Sequence, residues 1–165
     1  MQNTLFGSFK TKRDEPVTKT IEYGAFTIML AFTSVQERLI EEITPTVVKE
    51  AQLNDLEPEL VAAVIQVESS WYPKAESEAG ACGLMQVIPK WNPKKDGTLY
   101  TCDELKDPAI GIKAGTAALR RWLDRASGDM HLALCAYNAG NICFKKMRMN
   151  YVDRVMNVYY TIKKK

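Results

Sequence analysis

The sequence has 165 residues, of which 46% are hydrophobic and 25% are charged, and its formal net charge is +2. These values are ordinary for one globular domain and exclude a disordered chain, a collagen-like fibre and a coiled-coil rod. The longest apolar run, residues 25–32, is much shorter than the roughly 20 residues of a membrane-spanning helix. We therefore predict no stable membrane span, and the near-neutral charge argues against a dedicated nucleic-acid binder.

The charge is distributed unevenly along the chain. Residues 34–80 carry three basic and ten acidic side chains, whereas residues 81–165 carry fifteen basic and seven acidic ones. Two interpretations remain open: the second half attracts an anionic polymer, or its cations belong to ordinary solvated helix faces and a C-terminal lysine tail.

The N-terminal residues differ from the rest of the chain because residues 1–33 show no helical periodicity. Residues 25–32 have the length of a signal-peptide core, but acidic residues precede them and no small-residue cleavage site follows. We predict an N-terminal extension over residues 1–40 and a folded domain over residues 41–165, and we leave an export signal unassigned.

Helical patterns begin at residue 34, where Ser34 and Glu37 form a capping-box signature. We predict that Pro45 interrupts this first helix. Further helices are predicted over residues 46–53, 58–70, 108–128, 130–139 and 151–163. Residues 73–106 hold most of the glycine, proline and polar turn residues, which predicts a long loop with short helical pieces. Since no clear strand alternation occurs, these patterns predict a mainly α fold.

The four cysteines are Cys82, Cys102, Cys135 and Cys143. They include no CxxC pair, and His131 is the only histidine, which argues against a zinc site. Two disulfides have three possible pairings. Nearest-neighbour pairing fits a protein that leaves the cytosol, and buried free thiols fit the sequence equally well.

Glu68 is an acidic residue at an apolar position of its predicted helix. It follows Val61, Val64 and Ile65 at helical spacing, which places its carboxyl group on the apolar face near the C-terminal end. Loss of water and the negative end of the helix dipole both raise the pKa of such a group, and a raised pKa suits a general acid. The alternative is that the helix has frayed at this point and Glu68 is solvated.

Two more segments combine small residues with polar side chains. Residues 80–86 have the glycines of a tight turn in which the backbone approaches another part of the molecule, and Gln86 offers an amide group. Residues 136–140 bring the hydroxyl group of Tyr137 and the amide of Asn138 to a helix end. Taken alone, the first segment is better explained as a turn that enters a helix, and the second as a packed helix end with Tyr137 in the core.

The three segments follow one order along the chain: Glu68-Ser69, then Ser77, then Gly83-Leu84-Met85-Gln86, then Ala136-Tyr137-Asn138-Ala139-Gly140. In this order they resemble the catalytic domain of soluble lytic transglycosylases, a family related to goose-type lysozyme. The resemblance spans residues 53–160 and leaves the first forty residues outside it.

This resemblance implies a lysozyme-like helical fold with a groove for peptidoglycan glycan strands. It places the family's catalytic glutamate on Glu68, which would protonate the glycosidic oxygen between N-acetylmuramic acid and N-acetylglucosamine. The same group would then accept the proton of the muramic 6-hydroxyl as that hydroxyl attacks C1, giving a 1,6-anhydromuramoyl end. Ser77, Gln86, Tyr137 and Asn138 match positions that line the sugar site, and the resemblance implies no metal or organic cofactor.

One departure from the goose-type pattern bears on the reaction. Goose-type lysozymes carry an acidic residue two positions after the glutamine, where this chain has Ile88. Because an inverting hydrolase needs a second carboxylate to activate water, this departure favours the lyase. The alternatives are a lysozyme-type hydrolase that uses Glu76, Glu78 or Asp96 as base, and, from another class, a non-catalytic wall-binding or assembly module.

The resemblance also implies a setting at the bacterial cell wall, outside the cytoplasm. A small domain of this kind suits local openings in the wall, as in phage entry or lysis, conjugation, secretion and wall remodelling. Residues 1–33 are a candidate for docking the domain to such an assembly. The lysine-rich segment that follows Pro89 departs from the family pattern and has no assigned role.

Overall fold

The computed structural model describes residues 37–164, and six α-helices lie in this range. They are α1 (Glu37–Leu53), α2 (Pro58–Ser69), α3 (Cys102–Leu105), α4 (Pro108–Arg125), α5 (Met130–Ala139) and α6 (Met149–Lys163). Two 3-10 helices cover Pro89–Trp91 and Gly140–Phe144. No strand occurs between residues 37 and 164, and the predicted mainly α class is confirmed. The predictions for residues 1–33 and the Ser34 cap lie outside the described residues.

Helix α2 lies at the centre of the domain because its middle part, residues 60–65, is apolar on all sides. Six consecutive residues, from Leu60 to Ile65, are almost completely buried, and a helix that is apolar all round must be enclosed by others. Helices α1 and α6 pack against it. Helix α6 also forms hydrogen bonds near the start of α2, where the hydroxyl of Tyr159 and the ammonium of Lys163 donate to Glu57 at 2.9 and 2.6 Å.

Helix α1 is continuous, so the prediction that Pro45 interrupts it is wrong. The proline removes one backbone hydrogen bond, to the carbonyl group of Glu41, but both residues lie on the exposed side of the helix. The opposite side is a buried stripe that comprises Ile40, Ile43, Val47, Val48 and Ala51. Burial of each large side chain contributes roughly 1.5–3 kcal/mol, which together exceeds the cost of about 3 kcal/mol for an internal proline.

The predicted starts of α4 and α5 are confirmed by their caps. The side chain of Asp107 accepts from the backbone N–H of Ile110, and that of Asp129 accepts from the N–H of Leu132, each at 3.0 Å. Gly140 ends α5 with a φ of 71°. Helix α6 begins at Met149, two residues before the predicted start.

Residues 70–101 form the predicted loop, which is shaped by short-range hydrogen bonds. Cys82 and Val87 exchange two backbone hydrogen bonds of 3.0 Å. A disulfide joins Cys82 to Cys102 at the start of α3, and a second disulfide joins Cys135 of α5 to Cys143 of the following 3-10 helix. Of the two alternatives that the sequence left open, the structure therefore has nearest-neighbour pairing and not free thiols.

Candidate functional site

Glu68 lies in the last turn of α2 and its side chain is largely enclosed. Burial removes water from the carboxyl group and raises its pKa to about 7. The hydroxyl of Tyr151 and the guanidinium of Arg154 act in the opposite direction, but with less effect. The predicted rise in pKa is confirmed, and the alternative of a frayed, solvated Glu68 is wrong.

Tyr151 is the direct partner of this carboxyl group. Its hydroxyl donates a hydrogen bond of 2.7 Å to Oε1 of Glu68, and its ring is buried in the first turns of α6. One helical turn later, Nη2 of Arg154 donates to the carbonyl oxygen of Val67 at 3.2 Å. Within residues 37–164, Oε2 of Glu68 has no hydrogen-bond partner. One carboxyl oxygen is thus held in place while the other is free to interact with a ligand.

Tyr137 approaches Glu68 from α5. Its hydroxyl donates to the backbone carbonyl of Met85 at 2.7 Å. Burial raises the pKa of Tyr137 well above its usual value, and the charge of Glu68 adds to this effect. The hydroxyl of Ser69 donates to the carbonyl of Leu84 at 2.8 Å. The three segments singled out in the sequence therefore meet at the end of α2.

The turn at residues 83–86 has its position because two glycines permit close contacts. Gly83 has a φ of 77°, and a Cβ atom on it would overlap the carbonyl oxygen of Leu105. A Cβ atom on Gly115 of α4 would overlap the side chain of Met85. The expected tight turn with a close backbone approach is confirmed.

Ser77 and Gln86 direct their polar atoms into their own loop. Oγ of Ser77 accepts from the backbone N–H of Ala81 at 3.1 Å. Nε2 of Gln86 donates to the carbonyl oxygens of Ala75 and Gly83 at 3.2 and 3.0 Å. These two side chains therefore hold the shape of the loop, and the role of each in binding sugar stays a prediction.

Asn138 lies next to Tyr137 on α5 and is exposed. No side-chain hydrogen bond to Asn138 occurs within residues 37–164, so its amide group is available to a ligand. Its predicted contact with sugar also stays a prediction.

The other carboxylates considered as water-activating bases have local partners or lie in solvent. Glu76 accepts from Nζ of Lys106 at 2.7 Å. Asp96 accepts from the N–H and hydroxyl of Thr98, and the hydroxyl bond is the main cause of its lowered pKa. Glu78 is exposed.

One group in the described part of the chain has atoms close enough to hold a metal ion, namely Glu76, Cys82 and Cys102. The two sulfur atoms are bonded to each other as a disulfide, however. This group therefore offers no thiolate, which is the form of cysteine that binds metals.

Tyr151 is the functional candidate that sequence reasoning did not select. In the sequence it is only the first residue of the last predicted helix, and nothing there distinguishes it from a core residue. The signal that identifies it is a hydroxyl group on a buried side chain, since a buried hydroxyl needs a hydrogen-bond partner.

Comparison with known proteins adds independent information. A family model described as the transglycosylase SLT domain matches residues 45–156. The chain is 46% identical over 90 residues to a transglycosylase of Enterobacteria phage PRD1, which covers 54% of this chain and 31% of that protein. It is 32% identical over 135 residues to membrane-bound lytic murein transglycosylase C of Haemophilus ducreyi, which covers 74% of this chain and 36% of that protein. The chain thus spans about a third of the length of these relatives.

Solved structures show the same fold. An inactive Glu-to-Gln mutant of the lytic transglycosylase Slt from Pseudomonas aeruginosa superposes with a TM-score of 0.56 at 29% identity, covering 72% of this chain and 21% of that one. The 70-kDa soluble lytic transglycosylase from Escherichia coli gives a TM-score of 0.55 at 18% identity, covering 91% of this chain and 28% of that one. The predicted lysozyme-like helical fold is confirmed.

Proposed function

We propose that this chain, which belongs to the transglycosylase SLT domain family, is a peptidoglycan lytic transglycosylase in which Glu68 is the catalytic acid and base. It cleaves the β-1,4 bond between N-acetylmuramic acid and N-acetylglucosamine and makes local openings in the cell wall. The observation that carries the proposal is a single enclosed carboxyl group with a pKa of about 7, held through one oxygen by Tyr151.

The reaction needs one carboxyl group that first gives and then accepts a proton. Oε1 of Glu68 accepts from Tyr151, so the proton is carried on Oε2, which has no other partner in residues 37–164. Glu68 donates it to the glycosidic oxygen as the bond from this oxygen to C1 breaks. The muramic 6-hydroxyl attacks C1 and gives its proton to the Glu68 carboxylate. The product is a 1,6-anhydromuramoyl end, and no water is consumed.

The remaining site residues position the glycan. Tyr137 holds the turn at Met85, and from this position it orients or polarises the reaction centre at Glu68. Asn138 offers its amide group to the N-acetyl and hydroxyl groups of the sugars. Ser77 and Gln86 offer the hydroxyl proton and the amide oxygen that their bonds within the loop leave unused. Because such bonds contribute about 0.5–1.5 kcal/mol each, their main effect is on orientation.

The local partners of two of the three other candidate carboxylates support the lyase over the hydrolase. An inverting hydrolase needs a second carboxylate that is free to activate water. Glu76 is paired with Lys106, and Asp96 is bonded within its own turn. Neither side chain is arranged as a free base next to Glu68.

The proposal is tested with Glu68→Gln, which preserves the shape of the side chain but removes the acid. We expect the release of muropeptides from purified sacculi to fall by at least about a hundredfold, as for loss of a general acid. Mass spectrometry of the wild-type products should show anhydromuramoyl ends, which are one water lighter than the reducing ends that hydrolysis leaves.

Glu41→Gln is the matched control because Glu41 is exposed on α1, and it should retain wild-type turnover. Reducing ends in place of anhydro ends would favour the hydrolase. If the folded wild-type protein binds sacculi but releases nothing, the non-catalytic module is the better account.

A further inference from the structure

Exposed hydrophobic side chains are concentrated in one short segment. Within residues 37–164, nine large hydrophobic residues are exposed, and four of them are Ile142 (43%), Phe144 (39%), Met147 (38%) and Met149 (43%). The other five are spread along the chain between residues 53 and 160. Single exposed hydrophobic residues are normal, whereas a group of them marks an interaction surface. We refer to residues 142–149 as the 142–149 loop.

The same loop is strongly basic. Lys145, Lys146 and Arg148 are all exposed, and no acidic residue lies between Gly140 and Tyr151. The guanidinium of Arg125 from α4 lies 5.3 Å from the ring centroid of Phe144 and adds a fourth cation. The loop therefore combines exposed cations and exposed apolar side chains within eight consecutive residues.

The structure of the loop keeps these side chains in place. Its backbone N–H groups at Lys145 and Lys146 donate to the carbonyl of Ile142 at 3.0 and 2.9 Å. The disulfide from Cys143 anchors it to α5, and the N–H of Arg148 contacts Sγ of Cys135 at 3.3 Å. The hydrophobic side chains are therefore exposed on a segment that is fixed to the rest of the domain.

We propose that the 142–149 loop docks the protein onto the surface of an anionic phospholipid bilayer. Lipid interfaces bind segments that combine apolar side chains, which enter the boundary of the acyl chains, with Lys and Arg, which pair with anionic headgroups. An anionic polysaccharide or nucleic acid would use the cations but gain little from the aliphatic Ile142, Met147 and Met149. None of the helices in the described range has the length and hydropathy to cross a bilayer.

The 142–149 loop contains none of the candidate site residues, although it lies in the sequence between Asn138 and Tyr151. The proposal does not depend on the enzymatic function. The loop nevertheless follows α5 directly, and α5 carries Tyr137 and Asn138. Binding through the loop would therefore hold the site at a constant orientation to the bilayer.

The experiment measures partition of the full chain onto vesicles of phosphatidylcholine with and without phosphatidylglycerol, at low and high salt. Wild-type protein should bind only the anionic vesicles, and high salt should weaken the binding. Lys145→Glu/Lys146→Glu and, separately, Met147→Ser/Met149→Ser should each weaken it at least about tenfold. The control Lys49→Glu/Lys113→Glu makes the same charge change on α1 and α4 and should bind as wild type.

Melting temperatures establish that each variant is folded before binding is compared. Equal binding by all variants would overturn the proposal, since another part of the chain would then be responsible. Loss of binding in the lysine variant but not in the methionine variant would also overturn it, because the surface would then be a general anion site. Absence of any binding of the wild-type protein to anionic vesicles would also overturn the proposal.

Discussion

The carboxyl group of Glu68 is subject to opposing influences of different size. Burial on the apolar face of α2 favours the protonated form, whereas the Tyr151 hydroxyl and Arg154 favour the ionised form. Burial has the largest effect, and the pKa of Glu68 is raised from 4.5 to about 7. An acid whose pKa lies near the working pH can both give and recover a proton, which is what the proposed reaction requires.

Turnover should depend on pH through this group. The protonated form starts the reaction, so activity should fall as the pH rises through about 7, by about tenfold for each further pH unit. The measurement is the initial rate of muropeptide release as a function of pH. A rate that stays unchanged to about pH 9 would contradict a role for protonated Glu68.

Tyr151→Phe should shift the pH profile of activity to higher pH. The substitution removes a hydrogen bond that lowers the pKa of Glu68, so the alkaline fall in activity should occur at higher pH. The rate near neutral pH should fall by about tenfold or more because the carboxyl group loses its fixed orientation.

The matched control for this substitution is Tyr160→Phe, which removes a hydroxyl from an exposed residue of the same helix. It should change neither the rate nor the profile. A Tyr151→Phe variant with reduced activity but an unshifted profile would mean that Tyr151 acts only in packing.

At the scale of elements, the site exists because α6 spans the length of α2. It binds Glu57 near the start of α2 through Tyr159 and Lys163, and Glu68 at its end through Tyr151. The turn at residues 83–86 closes against the same end of α2 through Ser69. The geometry of Glu68 therefore depends on contacts between elements that are distant in the sequence.

Gly83→Ala tests the position of this turn. Gly83 and Gly97 both have positive φ, but only at Gly83 would a Cβ atom overlap a neighbour, the carbonyl of Leu105. We expect Gly83→Ala to lower the free energy of unfolding by about 2–4 kcal/mol and Gly97→Ala by about 1 kcal/mol. Urea denaturation measures both. Equal losses would show that backbone conformation alone, and not the close contact, requires glycine.

At the scale of the whole molecule, two disulfides connect the segments that carry the site. Cys82–Cys102 fixes the loop of Gln86 to α3, and Cys135–Cys143 fixes the end of α5, which carries Tyr137, to the 3-10 helix that follows. A reducing environment would therefore loosen both sides of the site together.

Cys82→Ser/Cys102→Ser should lower the free energy of unfolding by about 3 kcal/mol, because the unfolded chain loses a covalent constraint. Thermal unfolding with and without reductant measures the effect, and mass spectrometry with a thiol reagent counts the free thiols. In the variant that lacks all four cysteines, reductant should change nothing. If reductant leaves the melting temperature of the fully oxidised wild-type protein unchanged, a stabilising role of the disulfides is contradicted.

Much of the fold and part of the site were predictable because they depend on neighbours in the sequence. The starts of α4 and α5, which aspartate caps fix, and the position of Glu68 on an apolar stripe are short-range features, and the predictions for them are confirmed. The error at Pro45 has a long-range cause: burial of the opposite face of α1 outweighs a local preference of the chain. The sugar-binding roles of Ser77, Gln86, Tyr137 and Asn138 stay predictions.

By itself, the sequence determined that the fold is helical and that the carboxyl group of Glu68 falls on the apolar stripe of a predicted helix. A solvated Glu68 stayed open until the structure showed the side chain enclosed and its pKa raised. Only the tertiary structure decided which hydroxyl holds that carboxyl, how the cysteines pair, and which exposed side chains collect in the 142–149 loop. The hydrogen bond between Tyr151 and Glu68 joins residues 83 positions apart. Helical spacing and caps act over a few residues, whereas such partners are chosen by the packing of whole helices.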